Sequence, residues 1–135
     1  MEEIEIKRVI AEISQLIIDK FNDFTQKLKS VETNDVLKRY LKKVSSACAS
    51  VKEKYIVNFN QISIDDFLRT GDPFYSLSNI KWLYKESEPG FYMLFPSENF
   101  KRELESISQE LDELLQRGDS YYRQVRDGFN NIVKT

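Results

Sequence analysis

The chain has no histidine, one cysteine, three prolines and four glycines in 135 residues, and each shortage excludes something. Without histidine, the side chain that most often moves protons near neutral pH is missing, and so is the commonest zinc ligand. The lone Cys48 permits neither an intramolecular disulfide nor a multi-cysteine metal site, a usage that suits a reducing interior. Glycines standing singly at positions 71, 90, 118 and 128 make no phosphate-cradling loop. No apolar run approaches the roughly 18 to 20 residues that a bilayer span needs, and the opening MEEIEIKRVI is charged throughout rather than leader-like. A formal charge of −2 supplies no global field toward nucleic acid or an anionic membrane. Together these shortages lead us to expect a soluble, cytoplasmic chain with no membrane association, cofactor, metal or small-molecule substrate, and no enzymatic activity.

What is present is helix-forming. Hydrophobic residues make up 41% and charged residues 31%, unlike a disordered chain, and the length suits one domain spanning 1–135. From Ile6 the apolar side chains fall at Ile10, Ile13, Ile17, Phe21, Phe24, Leu28 and Val31, the spacing by threes and fours that lines one side of a helix from about Glu2 to Ser30. Thr33, Asn34 and Asp35 are N-cap types, and a second stripe follows at Leu37, Leu41, Val44, Cys48, Val51 and Tyr55. So short a connection predicts an antiparallel helical hairpin over residues 2–55.

Residues 56–96 differ in texture, holding all three prolines, the only tryptophan and a dense set of aromatics. Ser63 followed by Asp66 resembles a capping box and Gly71 is a natural stop, which predicts a short helix from Ile64 to Thr70. Asp72-Pro73 makes a turn. The runs Ile80–Tyr84 and Phe91–Phe95 on either side of Pro89-Gly90 predict a β-hairpin, although the first run equally suits a helix end. Ser97 then caps a C-terminal helix over 97–134 with apolar positions Phe100, Leu104, Ile107, Leu111, Leu114, Tyr121, Val125 and Ile132. Gly118-Asp119-Ser120 is a point where this helix either continues or divides in two. The fold class expected is therefore mainly α: a bundle of the N-terminal hairpin and the long C-terminal helix, with a small central insert of one short helix and the β-hairpin.

Few residues carry chemistry. Asp65 and Asp66 are the tightest pair of acids, but neighbours on a helix point about 100° apart and suit the dipole of a helix start better than a shared proton or cation. Cys48 lies on an apolar stripe, where cysteine behaves as a small hydrophobe. Glu5-Ile6-Lys7 has an acid-x-lysine spacing, but on a helix rather than a strand. The local charge feature is Lys38, Arg39, Lys42 and Lys43, two adjacent pairs one turn apart; with Lys52 and Lys54 against Glu53, the stretch from Val36 to Lys54 carries +5. Four clustered cations suit phosphates of RNA or DNA; the plain reading is a solvated face, paired with Glu103, Glu110, Asp112 and Glu113 of the last helix or of a partner. Trp82, Tyr84, Phe91 and Tyr92 suggest a base-stacking platform, yet with Glu86 and Glu88 at the turn they read better as core.

The order of helix, turn, helix, hairpin and helix between Ile62 and Leu104 resembles a winged helix-turn-helix. That resemblance implies a DNA-binding regulator dimerised by its terminal helices. The wing tip Glu86-Ser87-Glu88 would be repelled by phosphate, and Lys81 is the one cation of the recognition segment, so such a fold would favour a protein ligand. The first expectation is a non-enzymatic assembly or adaptor subunit, binding a protein partner or a second copy through its helical stripes and nucleic-acid backbone through the basic helix. The argument for a partner is that two long stripes expose more apolar surface than the insert covers.

Overall fold

The computed structural model describes residues 3–30, 35–61, 63–70, 74–75, 77–81 and 97–134. All of them except Ser30, Asn58, Ser63 and Ser97 are helical, and no strand occurs among the described residues. The chain is mainly α, as its periodicity requires. Helix α1 runs Glu3–Lys29, α2 Asp35–Lys52, α3 Ile64–Thr70 and α4 Glu98–Lys134. The expected turn and caps at 31–34 and the expected stop at 71–73 lie outside the described residues. So does most of the expected β-hairpin, 82–95; its first two residues, Ile80 and Lys81, are helical, the alternative that the first run allowed.

α1 is the central rod. Its stripe Ile6, Ile10, Ile13, Ile17, Phe21, Phe24 and Leu28 is buried along the whole length. On one flank lies α4, running antiparallel, so that Lys27 meets Glu103 and Lys20 meets Glu110. On the other flank lies α2, also antiparallel, with Phe24 edge-on to Tyr40 at 6.5 Å between ring centres. The surplus of apolar stripe expected from the sequence is thus absorbed within the chain. Large exposed apolar side chains among the described residues are scattered, at Ile4, Leu16, Val57 and Tyr75, and argue no covering partner by area alone.

α2 ends in a feature the spacing does not announce. Glu53–Val57 forms one wide π turn, closed by Asn58 N–H donating to Glu53 C=O at 3.0 Å. A single π turn inserts a residue into the helix and shifts its faces; here Tyr55 stays buried while Val57 faces water. A 3-10 turn, Phe59–Gln61, follows. The start of α3 is as read from the sequence, with Asp66 N–H donating to Ser63 Oγ at 3.0 Å. Ile64 N–H reaches Glu3 Oε1 at 3.3 Å, which ties α3 to the beginning of α1. Ser97 caps α4 in the same manner, its Oγ accepting from Phe100 N–H at 3.1 Å.

α4 differs from its expected form in two respects. It does not divide at Gly118; the helix is continuous across that residue. Gly118 is buried under Phe74, and a Cβ built there would lie 2.5 Å from the ring's Cδ1 and 2.6 Å from its Cγ. The glycine makes room for a ring rather than a turn. Its buried face is the row Leu104, Leu111, Gly118 and Val125, with Leu115 and Tyr122 beside it, and the expected stripe members Ile107, Leu114 and Tyr121 are only half-buried at its margin.

Candidate functional site

The four sequence-predicted cations, Lys38, Arg39, Lys42 and Lys43, are all exposed on α2. Arg39 Nε donates to Asp35 C=O at 3.4 Å, and none of the four forms an ion pair among the described residues. Helical spacing divides them between two rows. Lys38 and Lys42 continue through Ser45, Ala49 and Lys52, all exposed and bordering the side that faces α1; Arg39 and Lys43 lie further around the helix.

Of the four acids expected to neutralise them, three are engaged elsewhere, while Glu113 is exposed and forms no ion pair among the described residues. Glu103 and Glu110 face α1, where Glu103 takes the Lys27 ammonium and Glu110 accepts from Lys20 Nζ at 2.5 Å. Asp112 lies 3.6 Å from the Nζ of Lys81, which is only 3% exposed and stands 5.7 Å over the Phe24 ring. The acidic helix and the basic helix therefore flank α1 on separate sides, and the positive charge of α2 is not balanced by α4.

These pairs make a pH-dependent fastening. The hydrogen bond from Lys27 holds the Glu103 carboxyl below its ordinary range, and the hydrogen bond to Glu110 raises the Lys20 ammonium above its own. A lowered carboxyl contributes stability above its unfolded value, near 4.3, and loses it as pH falls through the folded value. A raised lysine contributes below about 10.4 and loses it as pH rises through the folded value. Thermal unfolding should show a plateau between these limits with a fall on each side. Glu103→Gln should flatten the acid fall and Glu110→Gln the alkaline one, both small effects that shrink in high salt because the groups are exposed.

Between α1 and α2 lies a shallow groove of about 250 Å³, with Cys48 in its floor. Burial pushes the Cys48 thiol up to about 11. It is therefore protonated at neutral pH, an inert core group rather than a nucleophile. Modification by a thiol reagent at pH 8 should run about a hundredfold or more slower than for free cysteine, because only about a thousandth of the thiol is ionised. Denaturant should abolish the difference; a native rate equal to that of free cysteine would mean the α1/α2 seam opens.

Other candidate chemistry does not assemble. Asp65 and Asp66 are exposed in the first turn of α3, and no three acidic or cysteine side chains converge on a metal-sized site among the described residues. No described helix is long and apolar enough to cross a membrane. A polar cleft of about 390 Å³ between residues 75–81 and α4 is lined by Lys81, Asp112, Asp119 and Arg123, and was not apparent from the sequence. Within it the Asp119–Arg123 pair closes at 3.2 Å. The aromatic set Trp82, Tyr84, Phe91 and Tyr92 lies outside the described residues. No protein-family model matches the chain, and neither a curated protein nor a solved structure shows significant similarity to it.

Proposed function

We propose that the chain is a non-enzymatic assembly or adaptor subunit that binds a protein partner by helix–helix contact, with the exposed side of α2 as its working surface. One observation supports this reading: the cations of α2 are exposed and form no ion pairs among the described residues, while Glu103, Glu110 and Asp112 of α4 are held by lysines of α1 and by Lys81. A concentrated field of one sign on a chain with a net charge of −2 steers a complementary partner and sets its register.

The same four cations support a second reading, contact with nucleic-acid backbone, because two adjacent pairs one turn apart suit a row of phosphates. The DNA-regulator reading has less support. Lys81, the one cation of its recognition segment, is buried against Phe24 and Asp112 rather than free to reach a groove.

Reversing Lys38, Arg39, Lys42 and Lys43 to glutamate tests these readings. We expect the variant to fold normally and to lose the partner that co-purifies with the wild type from the native source. We also expect wild-type binding to DNA or RNA to be weak, indifferent to sequence and largely lost between low and moderate salt. Tight, sequence-preferring binding to duplex DNA that survives the reversal would overturn the assembly reading in favour of the regulator.

A further inference from the structure

We draw no further inference here: the strongest candidate, the polar cleft between residues 75–81 and α4, carries nothing, because its charges are already paired within it, Asp119 with Arg123 at 3.2 Å and Asp112 with the enclosed Lys81 ammonium at 3.6 Å, and no group in it points to a ligand.

Discussion

Gly118→Ala should destabilise the protein by about 1–3 kcal/mol, even though alanine is the better helix former by about 1 kcal/mol. The sign follows from geometry. The added methyl would sit 2.5 to 2.8 Å from three ring carbons of Phe74, which is itself fully buried. A ring held on all sides does not swing away as the end of a lysine would, so either residues 74–81 shift or α4 bends. Phe74→Leu in the same chain removes the ring edge, and the double variant should recover part of the loss; the non-additivity measured in denaturant titrations identifies the contact. If Gly118→Ala raises the midpoint, the ring does not lie over the helix. Gly128, with open space around it, is the internal control: Gly128→Ala should be neutral or stabilising.

Gly118 also marks where sequence reasoning reaches its limit. A glycine on the apolar stripe of a helix has the same local chemistry whether it ends the helix or admits a neighbour. Which one holds depends on Phe74, far away in the chain. Features fixed by residues close in sequence were legible: the stripe of α1, the Ser63 cap and the extent of α3, Ile64–Thr70, all depend on spacing and on side chains within a turn. The π turn at Glu53–Val57 was not, because it arises where the end of α2 must keep Tyr55 in the core and yet leave the bundle.

The same division applies to the candidate site. The cluster Lys38, Arg39, Lys42 and Lys43 could be read from the sequence, and its exposure follows from the stripe beside it. That it forms no ion pair among the described residues could not, since Glu103, Glu110, Asp112 and Glu113 of α4 or of a partner offered themselves as its counter-charges. Their pairing is set by packing: α4 lies along α1 in an antiparallel register that brings Glu103 to Lys27 and Glu110 to Lys20. The groove was hidden for the same reason. Its walls come from two helices, and only their relative rotation brings Thr25 and Lys29 of one and Ser45 and Ala49 of the other to a single groove.

Phe67→Ala should cost about 3–5 kcal/mol, although the residue sits in a helix of only two turns. Phe67 is 1% exposed and joins three elements. Its ring meets Tyr55 of the π turn edge-on at 6.1 Å and Tyr122 of α4 edge-on at 5.1 Å. Such ring pairs add about 0.5–1.5 kcal/mol each beyond the area they bury. Phe67→Leu keeps most of the volume and loses the ring geometry, so it should fall between wild type and alanine. The comparison separates packing from ring–ring contact. Because α3 is too short to persist alone, its release should appear in hydrogen exchange as early opening of residues 53–70 while α1 and the first half of α4 stay protected. A Phe67→Ala protein that melts as the wild type does, with 53–70 still protected, would show that α3 is an ornament on the bundle rather than the clasp between α2 and α4.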